Sequence, residues 1–311
     1  MTSDGLARII DGKELARIER EGIAARVRSL RAVGGIARLD AVLVASEASG
    51  TGGARGYAEN QAKTCNALGI EYRLHELPPG TGEGDLLGLI DDLNADEGVH
   101  AIMVHMPLPE GFDQHQVKSR IHPGKDVEGV NPSNIGNIVY GRSSFAPCTA
   151  LATMKLIDST GESLRGKRAV VIGQSHTVGK PIAALLMTRD ATVISANKWS
   201  LGLPDLARTA DILVAAAGKA GLVTPDWIHP GAIVIDVGVN RITDESGNRR
   251  VVGDVVFDQA RRVAGWISPV PGGVGPMTVA VLLGNVVEVA ERWAQRENED
   301  SVLFDARNGD G

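Results

Sequence analysis

Residues 170–181 read VVIGQSHTVGKP: an apolar run enters Gly173, a polar turn follows, and Gly179 heads the next apolar segment. A strand that turns into a helix at such a point leaves free backbone N–H groups at a positive dipole end, which is how a dinucleotide pyrophosphate is held. The spacing is G-x-S-x-x-V-G, with Ser175 where the usual fingerprint has its second glycine. A plain strand-to-helix turn would produce the same spacing. NAD sites usually carry a carboxylate for the ribose at the end of the next strand. Here stand Ala196, Asn197 and Lys198. A lysine there favours a 2′-phosphate, hence NADP over NAD, unless Lys198 is an ordinary solvated residue. Residues 269–278, PVPGGVGPMT, interleave three prolines with three glycines. That composition describes a rigid loop whose backbone can lie flat against a planar ligand.

The elements around these segments alternate. Strands are expected at 40–45, 71–77 and 101–106, with helices at 15–30, 54–68 and 83–94. Residues 121–145 are rich in Gly, Asn and Pro and read as loop. A helix at 150–160 opens a second alternation, with strands at 168–173, 191–196, 212–216 and 232–237. Helices start near Lys180 and Pro204, and a long amphipathic helix covers 279–298. Strand-helix-strand alternation implies parallel sheets. The expectation is an α/β chain of two α/β domains flanking a cleft, the second a Rossmann-like NAD(P)-binding domain. The first domain spans 1–149, joined by the C-terminal helix at 279–298. The second spans 150–278, and 299–311 is a disordered tail.

Composition agrees. At about 150 residues per domain, 311 residues make two domains. Apolar residues are 43% and the net charge is −6, which disfavours nucleic acid or an anionic membrane as partner. No run approaches the roughly 18 apolar residues of a membrane span. Cys65 and Cys148 are far apart, so no disulfide framework or zinc cluster is expected and a cytoplasmic location is. His75, His100, His115, His122, His176 and His229 lack metal-ligand spacing.

Residues 269–278 resemble the signature of the methylenetetrahydrofolate dehydrogenase/cyclohydrolase family (FolD type). Agreeing segments run in order from about residue 9 to 292: Ile10-Asp11-Gly12-Lys13, Leu93-Asn94-Ala95-Asp96, Pro107-Leu108-Pro109, Lys125-Asp126-Val127, Pro147-Cys148-Thr149, Ile235-Asp236-Val237-Gly238-Val239-Asn240 and Val252-Gly253-Asp254-Val255. The resemblance implies a folate-binding catalytic domain followed by an NADP-binding domain, usually in a homodimer. It implies oxidation of 5,10-methylenetetrahydrofolate to the methenyl form and, in many members, hydrolysis to 10-formyltetrahydrofolate. It places Gly173, Gln174, Ser175, Val178, Lys198 and Val239 at the cofactor. It places Tyr57 and Glu128 at the folate, with Pro271, Gly272 and Gly273 along it.

Three positions depart from the family pattern. The family's Y-x-x-x-K-x-K-x-C aligns with residues 57–65, where Tyr57, Lys63 and Cys65 fix the register and Gln61 replaces the catalytic lysine. At about 100° per helical residue, Gln61 lies about 40° from Tyr57 and Lys63 about 240° away, so Lys63 does not substitute. The family's Q-L-P is His105-Met106-Pro107, and its K-D-V-D-G ends Glu128-Gly129. Hydride transfer needs mainly orientation. Hydrolysis of the methenyl group needs a base and proton transfer. Tyr57, Gln61, His105 and Glu128 are therefore read as the catalytic set of an NADP-dependent dehydrogenase. Its cyclohydrolase is weak, lost, or rebuilt around His105, whose imidazole titrates near about pH 6.5 unless it is simply bonded at a strand end. Glu128 would hold the pterin slightly displaced or hold a smaller substrate. Two other readings keep the scaffold: a paralogue for another one-carbon or pterin-like substrate, and a folate/NADP-binding module without turnover.

Overall fold

The computed structural model describes residues 5–45, 52–142, 145–243 and 247–308, without the side chains of 52–54 and 297–308. The first half runs β1 (Arg8–Ile9), α1 (Gly12–Ala32), β2 (Arg38–Val44), α2 (Gly52–Leu68), β3 (Glu71–Leu77), α3 (Glu83–Ala95), β4 (Ala101–Val104), α4 (Gln114–Arg120) and α5 (Pro132–Val139). β2 pairs in parallel with β3 on one side and β4 on the other. Every residue of β2 is buried, as in a central strand covered on both faces. One face packs Val42, Val44, Ile102 and Val104 against Leu86, Ile90 and Leu93 of α3. Asp40 interrupts that face. It is bonded by Arg38 Nη2 and His75 Nε2, each at 2.8 Å, because a buried carboxylate needs partners.

The stretch 121–145, expected as loop, contains α5. Asn131 Oδ1 accepts the Ser133 N–H at 2.8 Å and Pro132 opens the helix, so the Asn and Pro that read as loop signals are a helix start.

The second half runs α6 (Cys148–Asp158), β5 (Arg168–Ile172), α7 (Gly179–Met187), β6 (Thr192–Ala196), α8 (Leu203–Arg208), β7 (Ile212–Ala215), β8 (Ile233–Asp236), β9 (Asn240–Thr243), β10 (Arg249–Val252), α9 (Phe257–Ala260), β11 (Trp266–Ile267) and α10 (Val274–Asn308). Six parallel strands form a sheet in the order β1-β11-β8-β7-β5-β6, and β9 and β10 form a separate antiparallel pair. The strand order reverses at β5, with β6 on one side and β7 on the other. The carboxyl ends at such a switch point form a ligand crevice in doubly wound sheets.

Two compact units result, residues 1–18 with 135–281, and 19–134 with 282–311. The sequence division at 149/150 differs at both ends. β1 pairs with β11, so the first residues belong to the second half's sheet, and the change of unit falls at residue 135. From Leu282 the last helix packs with residues 19–134. Asn285 Nδ2 donates to Val127 O at 2.8 Å, and the Arg26 guanidinium grips both oxygens of Glu291. α10 also continues to Asn308, where a disordered tail is expected from 299. Residues 285–308 contain neither Gly nor Pro to stop it, and 309–311 lie outside the described residues. Within α10, Val274–Arg296 is long and apolar enough to cross a membrane by length and composition, against the expectation of no such run. Most of it is buried in the protein, as for a core helix apolar on several faces. Leu283→Ala, at a fully buried position of α10, is expected to destabilise the protein by about 2–5 kcal/mol. Urea titration checks this, with an unchanged slope marking a loss of packing alone.

Candidate active site

Tyr57, Gln61 and Cys65 recur every fourth residue on α2 and so share one face. That face runs from the buried Cys65 through Gln61, 3% exposed, to Tyr57, 48% exposed. Lys63 lies exposed on another face, as the helical angle requires. The Gln61 amide donates to Met103 Sδ on β4 at 3.2 Å, and its Oε1 is buried with no hydrogen-bond partner among the described residues. His105 follows β4, where its N–H still donates to Val42 O at 2.8 Å. Its ring is 3% exposed, stands edge-on to Tyr57 at 5.8 Å, and has Nε2 3.1 Å from the Tyr72 hydroxyl on β3. Burial pulls the imidazole down to about 4, so His105 is neutral at pH 7. The sequence expectation of titration near 6.5 does not hold, because burial desolvates the charged form. Burial likewise pushes the Tyr72 phenol up. Tyr57, Gln61, Tyr72 and His105 form one uncharged cluster.

Glu128 sits on a turn fixed by its neighbours. The Lys125 ammonium donates to the carbonyls of Leu93, Asn94 and Asp96 at 2.7–3.0 Å, capping the C-terminal end of α3. The Lys125 carbonyl accepts the Ile102 N–H at 2.8 Å, which lays the segment beside β4. Asp126 accepts from the N–H groups of Gly129 and Asn131 and from Asn134 Nδ2. Glu128 is half-buried, and desolvation followed by the Asp126 charge pushes its carboxyl up to about 7, with Lys118 opposing. This group, rather than His105, titrates near neutrality.

The other unit carries Gly173 to Lys198. Gly173 has φ +119°, and a Cβ there would overlap the Ala216 carbonyl, so only glycine fits. A Cβ at Gly179 would overlap the Gly173 carbonyl. The turn therefore keeps its backbone bare where α7 begins, with Ser175 exposed and Val178 half-buried. Gln174 is not free to meet a ligand with its amide. Its Nε2 donates to Ser195 O and Oγ at 3.0 and 3.1 Å, and its Oε1 accepts from Asn197 Nδ2 at 2.7 Å. Lys198 is exposed, with Nζ 5.0 Å from the Trp199 ring centre, and Val239 is exposed beyond β8. Behind these ends lie two carboxylates. Asp254 accepts from the N–H groups of Ala217, Gly218 and Lys219 and from Asn240 Nδ2. Asp236 accepts from those of Gly238, Asp254 and Val255, and burial pushes it up to about 6. Pro271 is exposed and Gly272 and Gly273 are buried on the loop before α10. Gly12 packs so closely on Gly273 that a Cβ would overlap its carbonyl.

Residues 10–128 match the model of the tetrahydrofolate dehydrogenase/cyclohydrolase catalytic domain, and residues 147–294 that of its NAD(P)-binding domain. The chain belongs to the tetrahydrofolate dehydrogenase/cyclohydrolase family. Among relatives of this family, the bifunctional protein FolD of Moorella thermoacetica is 44% identical over 286 residues, 92% of this chain and 99% of that one. FolD 1 of Rhizorhabdus wittichii is 46% identical over 92% of this chain and 96% of that one. Among solved structures, the bifunctional enzyme FolD of Campylobacter jejuni, a methylenetetrahydrofolate dehydrogenase/cyclohydrolase, superposes with a TM-score of 0.86 at 37% identity over 92% of this chain and 99% of that one. The Trypanosoma brucei enzyme complexed with NADP cofactor and inhibitor gives 0.85 at 36%, over 92% and 98%.

Of the residues singled out for this family's chemistry, the structure brings Tyr57, Gln61 and His105 together and sets Glu128 on the turn beside β4. Tyr72, Lys125, Asp236 and Asp254 were not assigned roles from sequence. The last three stand in segments that carry the resemblance, which was the available signal, whereas Tyr72 had none. The His105 pKa sets a linkage. Its folded pKa lies below its unfolded value of 6.5, so its neutral burial is harmless above that pH and destabilising as pH falls toward about 4. The stability of the wild type relative to His105→Gln should therefore fall over that window, read by denaturant titration at a series of pH values.

Proposed function

We propose that this chain oxidises 5,10-methylenetetrahydrofolate to 5,10-methenyltetrahydrofolate with NADP and hydrolyses the methenyl product poorly. Family membership supports the reaction. The separation of the two steps is carried by one observation: at the position of the family's lysine, Gln61 lies buried in a cluster without charge.

The turn at Gly173 and Gly179 fits a dinucleotide, since bare backbone at a helix start is what a pyrophosphate needs. Ser175 and Val178 line that turn, and Lys198 offers the charge for a 2′-phosphate. Gln174 braces the β6 end from which Lys198 projects. Val239 flanks the same strand ends. NADP, when bound, supplies the hydride acceptor. On the folate side Tyr57 offers a ring face and Glu128 offers a carboxyl to the pterin. Orientation of the one-carbon centre is the main requirement for oxidation, and neutral groups meet it. Hydrolysis also needs a water deprotonated and a ring nitrogen protonated. Gln61 carries no titrating proton, and His105 at about 4 is a weak base. A homodimer is part of this reading. The exposed Ile242 and Val251 on the β9–β10 pair are apolar residues for a second copy to cover.

Purified protein should reduce NADP in the presence of methylenetetrahydrofolate and accumulate the methenyl absorbance; absence of reduction would overturn the proposal. Restoring Gln61→Lys with His105→Gln and Glu128→Asp should raise hydrolysis by about 100-fold or more while changing oxidation far less. Lys198→Ala should raise KM for NADP about tenfold and leave KM for NAD nearly unchanged, as for loss of one phosphate-pairing cation.

A further inference from the structure

The hydroxyl of Tyr72 and Nε2 of His105 are 3.1 Å apart, although the two residues are 33 positions apart in the chain. Tyr72 stands on β3 opposite Leu39 of β2, and the backbone of His105 is tied to Val42 on the same central strand. The pairing puts the two residues on strands flanking β2, Tyr72 level with Leu39 and His105 just past Val104, which pairs with Val42, and the length of the Tyr72 side chain closes the gap. Either group could donate on distance alone. A phenol is much the stronger acid of the two, because a neutral imidazole holds its N–H proton far more tightly than a phenol near pKa 10. The favoured arrangement is O–H to ring nitrogen.

We propose that Tyr72 is a positioning residue that donates its hydroxyl to His105 Nε2, places the ring proton on Nδ1, and so makes His105 a fixed neutral hydrogen-bond donor. The inference deepens the proposed dehydrogenase reading and rests on it for its catalytic consequence. In the family pattern this position is a glutamine, whose amide offers N–H. An imidazole locked with the proton on Nδ1 offers the same kind of donor, without charge. An imidazole free to hold its proton on Nε2 would instead present Nδ1 as a lone pair, which is the group a rebuilt hydrolase would need. Tyr72 therefore selects between the two uses of His105, and selects against the base. The low proton affinity of the buried ring agrees with that choice. The buried, unpartnered Oε1 of Gln61 then supplies an acceptor in the same cluster, so donor and acceptor are both present with no charge.

Histidine-selective 15N labelling of the intact protein without substrate tests this at neutral pH. The His105 signals, assigned by their loss in His105→Gln, should show Nδ1 protonated and Nε2 unprotonated. In Tyr72→Phe the two nitrogens should move toward a tautomer mixture. A proton on Nε2 in the wild type overturns the proposal even if Tyr72→Phe does not fold, and so does an unchanged spectrum in a folded Tyr72→Phe. In turnover, Tyr72→Phe should lower kcat/KM for oxidation about fivefold in the wild type and not in a His105→Gln background. Equal losses in both backgrounds would make Tyr72 a packing residue and overturn its positioning role. The expected tautomer in a protein that reduces no NADP would keep the Tyr72–His105 pair and remove the oxidation reading.

Discussion

A parallel strand that ends inside a protein leaves the next few amides without ladder partners, and buried amides cannot stay unpaired. This chain answers with buried charged side chains at those ends. Asp254 collects three consecutive amides after β7 and the side chain of Asn240. Asp236 collects three amides around the end of β8. Asp126 collects the amides of Gly129 and Asn131 beside β4, and Lys125 donates to the last carbonyls of α3. Each charge is buried only because several dipoles point at it, and each loop keeps its shape only because the charge is there. The turn that carries Glu128 and the loop at 217–219 hang on these points.

That arrangement separates structural charge from chemical charge. The ionised groups behind the loops are consumed by backbone, while the cluster on α2, β3 and β4 is neutral. Its apolar setting disfavours any charge lacking a partner, and the same burial drives His105 down and Tyr72 up. Glu128 differs because its desolvation is combined with a like charge on Asp126, which leaves it titrating near neutral pH. A site that orients a folate and tolerates hydride departure is consistent with this electrostatic pattern. On the α2 face that carries Tyr57, the position of the family's lysine is taken by the uncharged, buried Gln61.

The long elements were legible because their periodicity is strong: β3 and the helix carrying Tyr57, Gln61 and Cys65 lie where the alternation puts them. β1 and β11 have two residues each, too few for any pattern, and only their pairing makes them strands. The α5 segment looks like loop in the sequence because Asn131 and Pro132 suit a turn as well as a cap, and only the Ser133 N–H bond to Asn131 distinguishes the two. At the site, the spacing of Tyr57, Lys63 and Cys65 gives Gln61 its position, and the helical angle keeps Lys63 off that face. Tyr72 was invisible because its partner lies across a sheet whose register no local spacing encodes. The resemblance puts Gln174 at the cofactor, while the bonds of its amide to Ser195 and Asn197 make that side chain a brace.

The amino-acid sequence by itself determined the family, the order of the two kinds of site, and the three positions that depart from the family pattern. All are matters of residue identity at fixed spacing along the chain. The protonation states at those positions were decided by tertiary structure alone. A pKa depends on what surrounds a side chain in three dimensions, so the His105 imidazole, expected near 6.5, is pulled down to about 4 and the Glu128 carboxyl is pushed up to about 7. Tertiary structure likewise decided that the first strand completes the second half's sheet, because pairing joins segments that sequence separates by more than 250 residues.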